Sequence, residues 1–249
     1  ALAAYGVIQG MSLPILLFPA ALIAVIADLI VPELTEAQVQ GRLRGLGYML
    51  ERLYRLGLFF SMAVAGACFF FAHPLGELIY SEPAAGQYIR FLAPLVPIMY
   101  MDTLVDGMLK GVGEYRANMR YNIIDAATGL LLVWLLLPRY GVAGYLFSIS
   151  ATELLNFALS AARLTRVTVF RLQPLCWLLT AAAAVGGWWL LRLIFGRLLS
   201  RTGQPLILLL LVFLYLACYG AALLLCGALR REELSWLFSL LRGEKSPKT

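Results

Sequence analysis

The chain has 249 residues, 61% of them hydrophobic and only 14% charged, with a mean hydropathy of +0.82. Soluble domains carry roughly 45–50% apolar and about 25% charged residues, so this composition excludes an ordinary soluble core and points to lipid as the solvent. The net charge of +6 would suit nucleic acid, but the positive side chains follow the loops between apolar segments, and attraction to an anionic membrane leaflet explains them better.

Seven apolar segments of 17 to 21 residues follow one another: Met11–Val31, Leu56–Ala72, Phe91–Leu109, Tyr121–Leu137, Val142–Ala162, Leu175–Leu191 and Leu206–Cys226. A helix crosses a bilayer with about 20 residues. Backbone groups in lipid must bond within their own segment, which selects helices. The expected fold is an all-α integral membrane bundle of seven transmembrane helices over residues 1–227. A cytoplasmic amphipathic helix and a disordered tail are expected over 228–249. No basic region precedes the first apolar segment, which argues against a secretory signal and fits a chain that begins inside a longer protein.

In chain order, Pro14 and Pro19 interrupt the first segment, and Asp28 lies near its end. Glu33–Arg55 mixes Leu, Tyr and Met with Arg and Glu, and reads as one amphipathic helix running into the second segment. Arg90 stands at the start of the third segment, which Pro94 and Pro97 interrupt. Asp102, Asp106 and Lys110 then recur every four residues and share a helical face. They read either as a cation or proton site or as an Asp106–Lys110 pair near the interface. Asn118, Asn122, Asp125 and Gly129 share a face of the fourth segment. Ser148, Thr152, Asn156 and Ser160 share one on the fifth, with Glu153 beside them near mid-membrane. Such stripes line water-filled cavities, and they also hold helices together. Ionisable groups inside a membrane are costly and mark functional sites by default. The candidate substrate- or ion-binding residues on these stripes are Glu153, Asp125, Asp102, Asp106, Asn122 and Asn156. Beyond the seventh segment, Ala228–Leu241 sets Leu234, Trp236, Leu237 and Phe238 beside Arg230 and Arg231, as in a helix lying on the leaflet.

If every segment crosses, one side collects fifteen Lys and Arg residues and the other five. The positive-inside rule then puts the N-terminus outside and the tail in the cytoplasm. Arg192, Arg197 and Arg201 oppose this. Trp134, Trp188 and Trp189 fall at outer helix ends and Trp177 at an inner one, as aromatic belts do.

Covalent chemistry finds little footing. His73 is the single histidine, and Cys68, Cys176, Cys218 and Cys226 form no metal-binding or redox pattern. No metal, cofactor or catalytic residue is expected. Asp102-x-x-x-Asp106 resembles half of a prenyltransferase aspartate pattern, without its second acidic motif. No nucleophile elbow, P-loop or zincin motif occurs.

Several motifs carry a resemblance. Tyr5-Gly6, Gly10-Met11-x-x-Pro14, Phe18-Pro19 and Val31-Pro32-Glu33 come first. Phe91-Leu92-Ala93-Pro94-x-x-Pro97, Gly107 and Gly111-Val112-Gly113 follow, then Leu136-Leu137-Pro138-Arg139-Tyr140-Gly141-Val142-Ala143-Gly144. Over about residues 1–170 the chain resembles the C-terminal half of flippases of the multidrug/oligosaccharidyl-lipid/polysaccharide exporter superfamily, in the sporulation and polysaccharide-export branch. The resemblance implies helices eight to fourteen of fourteen, one of two bundles around a central cavity that alternates its access. It implies membrane lipids, a lipid-linked oligosaccharide substrate and the N-terminal lobe of the same protein as partners, and no nucleic acid. In such flippases cavity cations hold the lipid diphosphate; Arg90 is the best-placed cation here, and anchoring at the outer interface is its other reading. The alternatives are a cation-coupled multidrug exporter, a membrane prenyl or glycosyl transferase, and a non-catalytic membrane scaffold.

Overall fold

The computed structural model describes residues 2–170, 174–199 and 204–225. Among these the chain is helical. A first stretch comprises α1 (Leu2–Val7), a π-turn (Ile8–Ser12) and α2 (Leu13–Leu17), and α3 (Ala20–Val39) follows. Next come α4 (Leu43–Phe70), α5 (Ala72–Tyr80) and α6 (Pro83–Leu92), the last joined by a 3₁₀ turn (Ala93–Leu95) to α7 (Val96–Gly111). α8 (Tyr115–Tyr140), α9 (Val142–Val167), α10 (Pro174–Leu199) and α11 (Pro205–Leu225) complete the bundle. Six helical spans are long and apolar enough to cross a membrane, and a seventh is added when Ala3–Leu17 and Ala20–Val39 count as one bent span. The protein is an all-α membrane bundle.

The first span is not the single rod expected over Met11–Val31. Its halves meet at 52°. Pro19 has no N–H to give the Ile15 carbonyl, and its ring crowds that carbonyl, so the helix must break there. The bundle holds the bent shape. Tyr100 Oη donates to the Leu16 carbonyl, and Ser12 Oγ donates to the Ala85 carbonyl at 3.2 Å. The second proline pair acts as expected: Pro94 sits in the 3₁₀ turn and Pro97 in the first turn of α7.

One expectation is corrected. Glu33–Arg55 is not one helix. Glu33–Val39 finishes α3, a turn follows at Gln40–Arg42 with Gly41 at φ +67°, and α4 starts at Leu43. A positive φ suits glycine, which has no Cβ to clash, so the turn is written at one residue. Trp188 and Trp177 are half-buried and pack on neighbouring helices. Trp188 stacks on Phe70 at 4.4 Å between ring centroids, and Trp177 Nε1 donates to Tyr54 Oη at 2.9 Å. Trp134 and Trp189 are 72% and 63% exposed, as belt residues would be. The short helix α5, folded back on α6, was not foreseen. Gly76 and Gly86 meet so closely that a Cβ on Gly86 would lie 2.9 Å from His73 Cα. The proposed helix over 228–241 and the tail lie outside the described residues.

The core sits between α3, α4 and α7, around Ile30, Leu34, Leu50, Tyr100, Leu104 and Met108, all buried. α3 and α7 approach closely through glycine: a Cβ on Gly107 would come 2.7 Å from Ala27 Cβ, and one on Gly111 would come 2.8 Å from Leu34 Cβ. Thr35 Oγ1 adds a hydrogen bond to the Gly111 carbonyl at 3.0 Å. Small residues at contacts are how helices adhere in lipid, where apolar burial supplies little driving force. α8 lies at the edge of this core, and Asn118 is its one buried residue.

Candidate functional site

The polar stripes of α7, α8 and α9 converge. Asn156 on α9 is buried, and its Nδ2 donates to Asp102 Oδ2 on α7 at 2.8 Å and to Asn122 Oδ1 on α8 at 3.5 Å. Asn122 Nδ2 donates to Asp106 Oδ2 at 3.2 Å and to Asn118 Oδ1 at 3.2 Å. Ser160 Oγ, fully buried, donates to Asp106 Oδ1 at 3.1 Å. Asp106 therefore accepts from α8 and α9 at once, while Asp102 accepts from α9 alone. Of the two readings of Asp106, the pair with Lys110 does not form; its partners are Asn122 and Ser160.

Helical spacing explains why these residues meet. Asp102 and Asp106 stand one turn apart on α7, as do Asn118 and Asn122 on α8 and Asn156 and Ser160 on α9, so each helix offers a two-rung ladder. The α9 stripe divides along its length. Ser148 Oγ bonds back to the Gly144 carbonyl at 2.8 Å and Thr152 Oγ1 to the Ser148 carbonyl at 3.0 Å, so these two satisfy themselves within the helix. Asn156 and Ser160 reach across instead. Gly129 of α8 lies against Thr152, where a Cβ would contact Cγ2 at 3.4 Å, and this close approach lets the ladders touch.

The network is not saturated. Asp102 Oδ1, Asp125 Oδ1 and Asn156 Oδ1 are buried oxygens without a hydrogen-bond partner, and Asn118 Nδ2 is a buried donor without one. Leaving such groups unpaired costs about 1–3 kcal/mol each, so the free oxygens of Asp102 and Asn156, and separately that of Asp125 on α8, favour whatever brings positive charge or protons to them. Among the described residues no three His, Cys, Asp or Glu side chains gather as a metal-binding group. A cation here would be held by mixed carboxylate and amide oxygens, which suits a hard, oxygen-seeking ion. Glu153 is half-buried on α9, beside the stripe.

Two sequence candidates stay apart. Arg90, on α6, is exposed and lies over the Phe69 ring at 5.2 Å, a cation–π contact away from the acids. Asp28 is exposed on α3 beside the exposed Leu29, and outside the network. The sequence stripes did not reveal a clamp at the basic end of the bundle. Arg163 of α9 forks onto Glu114 before α8, with its Nη2 2.9 Å from Oε2 and its Nε 3.2 Å from the same oxygen. Opposite charges flanking the α8–α9 hairpin were its only trace in the sequence.

A bundle of apolar spans, one of them bent, with carboxylates and amides hydrogen-bonded across three of them defines a polytopic membrane protein of the transporter type. The MatE family model matches residues 1–135, and the chain belongs to that family, within the multidrug/oligosaccharidyl-lipid/polysaccharide superfamily. The chain is also similar to Stage V sporulation protein B of Bacillus subtilis (strain 168), at 27% identity over 165 residues. That similarity covers 66% of this chain and 32% of the relative, so the chain aligns with about a third of that protein's length.

Proposed function

We propose that this chain is the C-terminal lobe of an exporter that carries a polyprenyl-linked oligosaccharide, or a related cell-envelope precursor, across the cytoplasmic membrane by alternating access. The N-terminus faces outward and the basic end of the bundle faces the cytoplasm. The observation that carries the reading is the Asp102–Asn156–Asn122–Asp106 network, which joins three spans of a MatE-family chain around the buried Asn156, with both carboxylates half-buried. Ionisable groups within apolar spans are costly and by default mark sites for an ion, a proton or a headgroup. The network acts as the coupling site: an ion or proton bound at its free oxygens draws α7, α8 and α9 together, and its release lets α8 shift. The lipid headgroup is handled in the cavity between this lobe and its N-terminal partner, with the tail left in the bilayer. No bond is made or broken.

The family match is equally compatible with a multidrug exporter, so the substrate class is the point to test. The full-length protein in proteoliposomes should translocate a fluorescent lipid-linked oligosaccharide faster than protein-free vesicles do. Efflux of a fluorescent drug without lipid translocation would replace this reading with the multidrug one. The transferase alternative draws no support from the family match, which is to a family of transporters. Magnesium-dependent turnover of a polyprenyl diphosphate, lost in Asp102→Asn, would revive it.

A further inference from the structure

At the end of the bundle opposite the acid network's basic side lies a second polar cluster that the coupling site does not use. Tyr5 and Gln9 stand four residues apart in the first helical stretch and share a face. The Tyr5 ring packs against Tyr145 in the first turn of α9, with centroids 5.1 Å apart and planes tilted by 59°, yet Tyr5 remains 46% exposed. Gln9 is exposed, and its Nε2 donates to Tyr145 Oη. That bond orients the amide and leaves its carbonyl oxygen free to accept. Gly6 and Gly10, also four apart, lie next to this wall. A Cβ on either would meet nothing within 4 Å, so packing inside this chain does not require them to be glycine. The π-turn Ile8–Ser12 falls in the same stretch, and such turns recur at functional sites. Ile8 is fully buried and Ser12 is bonded to the Ala85 carbonyl, so the stretch is held against the bundle.

We propose that Tyr5, Gln9 and Tyr145, beside the open Gly6–Gly10 strip, form a sugar-binding subsite for the glycan of the transported lipid; this rests on the exporter reading above. The chemistry selects a carbohydrate. An aromatic face is the negative part of its quadrupole and attracts the C–H face of a pyranose ring. A fixed amide offers one acceptor and a second N–H to sugar hydroxyls. A strip without side chains admits a bulky ring. A lipid tail would leave the amide unused, and a diphosphate would find no cation among these five residues.

The test uses the full-length protein in nanodiscs, with saturation-transfer NMR to chitotriose and maltotriose as probes. Transfer to at least one of them is expected. It should fall about tenfold in Tyr5→Ala, persist in Tyr5→Phe, weaken in Gln9→Ala and vanish in Gly10→Leu, whose side chain fills the strip. Absence of transfer from the wild-type protein to either glycan, or equal transfer from wild type and Tyr5→Ala, overturns the subsite. So does a large drop in the melting temperature of Gly10→Leu together with unchanged glycan binding by Tyr5→Ala, which marks the face as a contact with another part of the protein. Glycan binding is read without transport. A protein that binds glycan but moves no lipid-linked oligosaccharide sinks the exporter reading and leaves the subsite standing; the reverse result does the opposite.

Discussion

Asn156 sits on α9, yet one of its nitrogens serves acceptors on α7 and α8. Hydrogen bonds between helices in a membrane are worth roughly 0.6–2 kcal/mol, and removing this amide also strands Asp102. Asn156→Leu should therefore lower stability by about 1–3 kcal/mol, seen as an earlier thermal transition in detergent. An unchanged transition would show that the network is decoration. The acids carry a separate prediction. If Asp102 and Glu153 couple movement to an ion, Asp102→Asn and Glu153→Gln should fold normally and bind substrate but lose the dependence of translocation on the proton or sodium gradient. Full activity with unchanged ion dependence in Glu153→Gln would remove that residue from the role. The sequence showed that Asp102 and Asp106 share a face, because spacing of four is enough for that. It left the partner of Asp106 open between Lys110 on its own helix and groups on others. In the folded bundle the neighbouring helices supply closer donors, and a long lysine is free to extend toward the headgroups.

Among the elements, the bent first span and the glycine seam between α3 and α7 shape the lobe. Pro19 was readable as a breaker, but not the 52° angle. That angle depends on what catches the two halves, namely Tyr100 at Leu16 and Ser12 at Ala85. Tyr100→Phe, which loses only the hydroxyl, should cost about 1 kcal/mol. It should also increase hydrogen exchange around Pro14–Ala21 more than elsewhere; uniform exchange would mean that the bend is intrinsic. The seam makes a steeper prediction. Gly107→Val places two methyl groups where Ala27 already lies, so α3 and α7 must separate, at about 1–3 kcal/mol. Gly6→Ala, on the open strip, should leave the melting temperature unchanged. Gly107 and Gly111 were visible in the sequence as a motif. Their purpose was not, because a close approach is a property of two helices and a sequence segment describes one.

For the whole molecule, the proposed orientation rests on the uneven ladder of positive charge. Cysteine placed in a Cys-free background at Arg197→Cys should react with a membrane-impermeant maleimide in intact cells. Arg116→Cys should react only after permeabilisation. The opposite pattern would invert the proposed topology and expose the acid network's basic end to the outside. A second whole-molecule feature is how little of α8 is covered. Ile123, Leu130, Leu131 and Trp134 are all exposed, and the polar ladder is a main tether of α8 to α7. An apolar face of that extent needs lipid or a partner lobe against it.

The sequence by itself determined the solvent, the helical class, the number of spans to within the bent pair, and the two-rung spacing of each polar stripe. These follow from composition and from a period of 3.6, which are local properties. Tertiary structure alone decided which stripes meet, that Ser148 and Thr152 turn back on their own helix while Asn156 and Ser160 reach across, and that Arg90 and Asp28 stay outside. It also paired Tyr5 and Gln9 with Tyr145, some 136 residues further along the chain. Such contacts depend on the rotation and separation of whole helices, and in a membrane those are set by the fit of glycines and hydrogen bonds between surfaces rather than by the pattern along any one of them.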